Sequence, residues 1–311
     1  MAQTKTLEIS LKEEIFKYKE YYKTSLKSKT KILDIISSFV HQRKENKILP
    51  IITILSAKAS GKITDTTYVA AAIIDLLYTA TKIHDDVENE SYSTNIFNKI
   101  DSLWKEKLSV LMGDYFLAQG LLISVKNKNY QLLEIFSKSV KQITEGEIQM
   151  LNITSNLTFD KKEYLDIIQK KSASLYAACT KAGALSVGAD NETINILTSY
   201  GRNYGIALFI NNDLQIKNTI INSKYRITLP YILALINSDE QEKIKMMKYL
   251  HYPVEKKLTA YLQSYTEKKN GVSEAIKLLE DYKTKAVEDI TELPFSDAVE
   301  SLKQLVIKTI D

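Results

Sequence analysis

Apolar residues recur at intervals of three and four along most of this chain, with no alternating stretch that reads as a strand. Residues 8–30 read as a charged amphipathic helix, and residues 47–60 as a short apolar helix entered at Pro50, a residue tolerated in a first turn. Asp65 is a suitable N-cap for the next helix, where Val69, Ile73, Leu76, Ala80, Ile83 and Val87 follow the helical period. That helix is apolar almost all round until Lys82, which places it in a core. Further helices are expected near 104–126, 129–152, 160–187 and 191–217. Three or four more fall between 226 and 310, where Pro230, Pro253 and Pro294 mark starts or turns. The pattern predicts an all-α fold, with residues 1–311 forming a single large helical bundle.

Composition strengthens this reading. Four prolines and nine glycines in 311 residues are too few for the closely spaced turns of a sheet protein. The formal charge is +4, from 42 basic and 38 acidic residues, so charge alone indicates neither nucleic acid nor a membrane surface as partner. A single cysteine, Cys179, excludes an internal disulfide and fits a reducing compartment; as a small core residue it needs no chemical role. The N-terminus is charged throughout, without the apolar core of a signal peptide. The apolar stretch from Val69 to Ala80 is interrupted by Asp75 and is too short to span a bilayer. The expectation is a cytoplasmic protein with no transmembrane segment.

The chemistry gathers at two helix ends. The core helix closes on His84-Asp85-Asp86-Val87-Glu88-Asn89-Glu90. Such a run is either a solvated acidic tail, which opposes the helix dipole, or a divalent-cation site. In the second case Asp85 faces Glu88 and Asn89, and Asp86 faces Glu90, so that oxygen ligands share a helical face, which suits Mg²⁺. The second candidate is Asn211-Asn212-Asp213, after the apolar run Gly205–Ile210. It reads either as another polar centre or as a helix C-cap, for which Asn is suited. His84 is expected to be a packed neighbour of the aspartates rather than a ligand, and His41 and His251 to lie on the surface.

In order, LLYTATKIHDDVENE, LMGDYFLAQGLL, EGEI at 145–148, KKSASLYAACTKAGAL at 170–185, GIALFINND at 205–213 and RITLP at 226–230 resemble segments of the trans-isoprenyl diphosphate synthases, or polyprenyl synthetases. The resemblance covers about residues 10–305 and implies the isoprenoid synthase helical fold. It implies Mg²⁺ held by Asp85, Asp86, Glu90, Asn212 and Asp213, and an allylic prenyl diphosphate gripped by Lys171 and Arg226. Asp85 and Asp86 are the expected catalytic pair, and a homodimer, or a heterodimer with a related synthase, is the expected assembly. Tyr78 and Phe209 offer aromatic faces to a carbocation, while the small Ala80 and Thr81 leave a deep hydrocarbon pocket.

The departures from the family pattern are concentrated. Asn89 stands for the third aspartate of the first motif, and Thr94 and Asn95 for its paired arginines. Asn46 and Leu49 replace the lysine and arginine of GKxxRP, and Tyr78 replaces a histidine. The second motif reads Asn212-Asp213-Leu214-Gln215-Ile216. Most losses fall on the isopentenyl diphosphate pocket, each forfeiting a charge-assisted hydrogen bond worth roughly 1.5–3 kcal/mol. The allylic side is better kept. That pattern favours a terpene synthase-like enzyme that ionises an allylic diphosphate without isopentenyl diphosphate. The alternatives are a non-catalytic subunit of a heteromeric synthase and a divergent chain-elongating prenyltransferase.

Overall fold

The computed structural model describes residues 11–30, 33, 48–88, 102–156, 160–215, 221–223, 226–249 and 256–309; the side chains of 85–88, 102–106, 221–226, 256–259 and 309 are outside that description. Thirteen α-helices occur among the described residues: α1 Lys12–Ser25, α2 Ile48–Ser60, α3 Asp65–Glu88, α4 Ser102–Lys126, α5 Tyr130–Asn156, α6 Lys161–Ile168, α7 Ser174–Ser186, α8 Asn191–Gln215, α9 Leu229–Ile236, α10 Glu240–Tyr249, α11 Lys256–Lys268, α12 Gly271–Thr291 and α13 Asp297–Thr309.

The all-α expectation holds, with local differences. Helix α3 begins at Asp65 itself rather than after it. The single helix expected over 160–187 is α6 and α7 joined by a π-helical turn, Gln169–Ala173. A short antiparallel hairpin, β1 Ile221–Ser223 and β2 Arg226–Ile227, occupies a segment read as strand-free. Among the described residues five helices, rather than three or four, follow it. Helix α8 continues to Gln215, so Asn211 and Asn212 lie inside it and are not its C-cap.

The chain divides into two compact units: Met1–Val140 with Ala177–Thr198 and Ile290–Gln304, and Lys141–Tyr176 with Ser199–Asp289 and Leu305–Asp311. In the first unit α3 is the central element. Val69, Ile73, Leu76, Ala80 and Ile83 are all buried, as their spacing predicts, and α3 packs along α1, α2 and α4. Small residues allow the close approaches. A Cβ on Gly113 would fall 2.0 Å from the His84 ring, and one on Gly183 2.3 Å from the Thr53 carbonyl oxygen. Asp75, the charged residue within the apolar run, accepts a hydrogen bond from the Tyr18 hydroxyl. Cys179 is free and fully buried, and burial pushes its thiol far above the ordinary range. Helix α4 carries a segment, Lys107–Lys126, long and apolar enough to cross a membrane by length and composition, which the reading centred on Val69–Ala80 overlooked. Its Met112, Phe116 and Ile123 are buried within the unit, whereas Val110, Leu111, Leu121, Leu122 and Val125 are exposed.

The second unit is rich in buried tyrosine. Tyr200 and Tyr204 stack with centroids 6.0 Å apart, and Tyr176 meets Tyr204 edge-on at 5.5 Å. The Tyr231 hydroxyl donates to the Met246 carbonyl at 2.9 Å, which ties α9 to α10. Asn237, just past α9, donates to the Lys269 carbonyl at 3.0 Å and to Glu274 at 2.7 Å, fixing the end of α9 beside α12.

Candidate active site

Helix α3 runs through Glu88, so Asp85 and Asp86 lie in its last turn. Their side chains, and Glu90 entirely, are outside the described residues. The His84 ring lies over Gly113, with Nε2 3.4 Å from the Val110 carbonyl oxygen and 3.6 Å from Asp114 Oδ1. Gly113 and Asp114 of the Gly-Asp-Tyr segment are thus a seat and a neighbour for His84, whose ring rests on α4 and is partly exposed. Ala80 is fully buried, and Thr81 donates its hydroxyl to the Tyr78 carbonyl at 2.9 Å. The Lys82 ammonium sits 5.9 Å from the Tyr78 ring centroid, a cation–π contact one turn before the aspartates.

In the second unit Lys171 lies on the π-helical turn. Its ammonium meets both carboxylate oxygens of Glu147, at 2.5 and 2.7 Å, and the two side chains are 20% and 30% exposed. Lys170 beside it pairs with Asp166 at 2.6 Å and donates to the Gln149 side chain at 3.1 Å. Phe209 is buried at 6% exposure. Asn212 is exposed, whereas Asp213 is only 3% exposed.

Asp213 has structural partners. Its Oδ2 accepts the Leu229 backbone N–H at 2.9 Å and lies 3.5 Å from the Tyr164 hydroxyl. Leu229 is the first residue of α9, and the preceding Thr228 makes no side-chain cap. The Asp213 carboxylate therefore satisfies an otherwise orphan N–H and places negative charge at a helix N-terminus, where it is favoured. Arg226 lies in β2 opposite Ser223, with its side chain outside the description. Among the described residues no group of three or more His, Cys, Asp or Glu is arranged to hold a metal ion. The oxygen chemistry of Asp85 and Asp86 suits Mg²⁺. Asp213 suits it less well, because an oxygen is already used by the fold.

The model of the polyprenyl synthetase family matches residues 30–266. The chain belongs to the polyprenyl synthetase family. Over 307 residues it is 26% identical to the geranylgeranyl diphosphate synthase of Saccharolobus solfataricus, covering 93% of this chain and 92% of that protein. It is 32% identical to the decaprenyl-diphosphate synthase of Dictyostelium discoideum over 184 residues, 59% of this chain but only 40% of that longer protein. A polyprenyl synthase from Caulobacter crescentus, solved with calcium and isoprenyl diphosphate, superposes with a TM-score of 0.84 at 23% identity, covering 98% of this chain and 96% of its own. Polyprenyl synthetase membership explains the order of the motifs. It does not by itself point to Glu147, Tyr164 or Leu229, the residues that engage Lys171 and Asp213 from 24, 49 and 16 positions away. No local signal in the sequence connects those pairs.

Proposed function

We propose that this chain is a chain-elongating prenyltransferase that takes an allylic prenyl diphosphate with Mg²⁺. The near end-to-end similarity to a geranylgeranyl diphosphate synthase carries this reading. The relatives do not support the terpene synthase-like reading and favour elongation. Asp85, Asp86 and Glu90 are assigned to Mg²⁺, with Asn212 and Asp213 as the weaker second set. The cation supplies the positive charge that stabilises the leaving diphosphate. Lys171 and Arg226 hold the diphosphate. Tyr78, Ala80, Thr81 and Phe209 are assigned to the hydrocarbon chain of the substrate, and an aromatic face is the kind of group that favours developing positive charge. Leu49 is buried in α2 and offers no cation to isopentenyl diphosphate, so that substrate is expected to bind more weakly than the allylic one.

The protein is to be incubated with Mg²⁺ and allylic diphosphates of ten to 25 carbons, with and without isopentenyl diphosphate. A longer prenyl diphosphate formed only with both substrates, and reduced about 100-fold or more by Asp86→Ala, is the expected result. Hydrocarbon or alcohol released without isopentenyl diphosphate would restore the terpene synthase-like reading, and no release of diphosphate under any condition overturns elongation by this chain alone.

One observation favours a second reading, a non-catalytic subunit: Lys171 and Asp213 are both engaged by partners within the chain. Mixing with an intact synthase and measuring product length tests it. The exposed apolar residues of α4, Val110, Leu111, Leu121, Leu122 and Val125, support pairing with a second copy or a related synthase. A cytoplasmic location remains part of the proposal, supported by the free, buried Cys179.

A further inference from the structure

The π-helical turn Gln169–Ala173 is approached from two sides by glycine. A Cβ on Gly146 of α5 would fall 2.8 Å from the Lys171 backbone nitrogen and 3.2 Å from its Cα. A Cβ on Gly205 of α8 would fall 2.8 Å from the Ala173 Cα and 3.0 Å from the Tyr176 ring. Both nearest atoms are backbone, so no rotation of a side chain relieves either overlap. A π-turn inserts an additional residue into the helical ladder and pushes the backbone outward. Here the widened backbone is accommodated where two neighbouring helices lack a Cβ. Gly146 also precedes Glu147, the carboxylate that grips the Lys171 ammonium at 2.5 Å.

We infer that Gly146 and Gly205 are positioning residues for Lys171. They let the wide turn seat between α5 and α8, and that seating fixes where the Lys171 ammonium stands. An alanine at either position displaces the turn, separates Lys171 from Glu147 and weakens whatever anion the ammonium serves. The seating stands on geometry alone; its consequence for diphosphate rests on the proposed function.

Two measurements separate these. Lysine acylation followed by mass spectrometry reads the Lys171–Glu147 pair without any substrate. Loss of a charge-assisted pair worth about 1.5 kcal/mol is about tenfold in the fraction of time the side chain stands away from its partner and open to the reagent. Glu147→Gln sets that scale, and Gly146→Ala and Gly205→Ala are expected to approach it, with the rise confined to the turn. Labelling of Lys171 as slow as in the unsubstituted protein overturns the inference. So does failure of both alanine variants to fold by circular dichroism, since the glycines would then serve only the fold. Calorimetric titration with inorganic diphosphate and Mg²⁺ is the second measurement. Both variants, like Lys171→Ala, are expected to weaken binding about tenfold by the same reasoning. If the unsubstituted protein binds no diphosphate while the labelling result stands, the proposed function fails and the positioning role survives. Unchanged diphosphate affinity in variants that expose Lys171 overturns its extension to the anion.

Discussion

Two aspartates stand on long helices of this chain, each in or just after an apolar run and one in each unit, and each has a tyrosine hydroxyl beside it. Asp75 lies midway along α3 and takes its hydrogen bond from Tyr18, a fully buried residue of α1. Asp213 lies near the end of α8; its closer partner is the Leu229 N–H at 2.9 Å, and Tyr164 stands off at 3.5 Å. In the sequence, Asp75 only interrupts an apolar run, whereas Asp213 has the appearance of chemistry. In the structure both hold neighbouring elements. An acidic residue in an apolar helix is thus no sign of function until its acceptor oxygens are traced to their donors. Where the main donor is a backbone N–H at a helix start, removing the carboxylate strands a group that cannot be repositioned; where it is a phenol, the phenol itself can be replaced.

The largest expected effect follows from that asymmetry. Asp213→Ala leaves the Leu229 N–H without its acceptor at a buried helix start, at a cost of about 3 kcal/mol in urea unfolding. Asp213→Asn keeps an oxygen acceptor and should lose only about 1 kcal/mol. Asp86→Ala, on a helix end where acidic groups oppose the dipole, should cost at most about 0.5 kcal/mol while abolishing turnover. If Asp213→Ala were as stable as the unsubstituted protein but as inactive as Asp86→Ala, the structural role would fall and the metal assignment alone would stand.

Tyr18→Phe comes next, at about 2 kcal/mol for the hydrogen bond to a carboxylate. It also has a pH signature. Burial, and then the Asp75 charge, push the Tyr18 phenol well above its ordinary value of 10.0, and burial does the same to Tyr22. The folded state therefore keeps its phenolic protons after the unfolded chain has begun to lose them. Stability from this source is complete below about pH 10 and declines as pH rises above it, by up to about 1.4 kcal/mol per pH unit for each phenol. Tyr18→Phe should flatten that alkaline decline, and an unchanged slope would show that Tyr18 ionises in the native protein.

The helices and the core were legible because periodicity is a local property. Val69, Ile73, Leu76, Ala80 and Ile83 are buried as their spacing required, and Pro230 stands in the first turn of α9. The hairpin Ile221–Ile227 was not legible, since its strands of three and two residues are too short to show alternation. Nor was the π-turn, because Gln169-Lys170-Lys171-Ser172-Ala173 contains no helix breaker. At the candidate site, residue types were legible and commitments were not. The ion pair of Lys171 shows only when Glu147 is found beside it, and the structural duty of Asp213 only when α9 is seen to begin at its oxygen.

Tyr164→Phe carries the smallest expected effect. The hydroxyl has one proton, and two acceptors are in reach: the Ile227 carbonyl at 3.1 Å and Asp213 Oδ2 at 3.5 Å. The shorter contact marks the carbonyl as the main acceptor, so the bond is between neutral groups, and its loss should cost about 1 kcal/mol. The ring stays fully buried in the variant, so packing is conserved. Asp213 keeps the Leu229 N–H, and adding Asp213→Asn to Tyr164→Phe should therefore give a loss close to the sum of the two. A cost for Tyr164→Phe as large as that of Tyr18→Phe, or strong coupling between the two changes, would mean that the phenol serves the carboxylate after all. The two aspartates would then be held alike, and the backbone contact to Leu229 would not be what distinguishes the second.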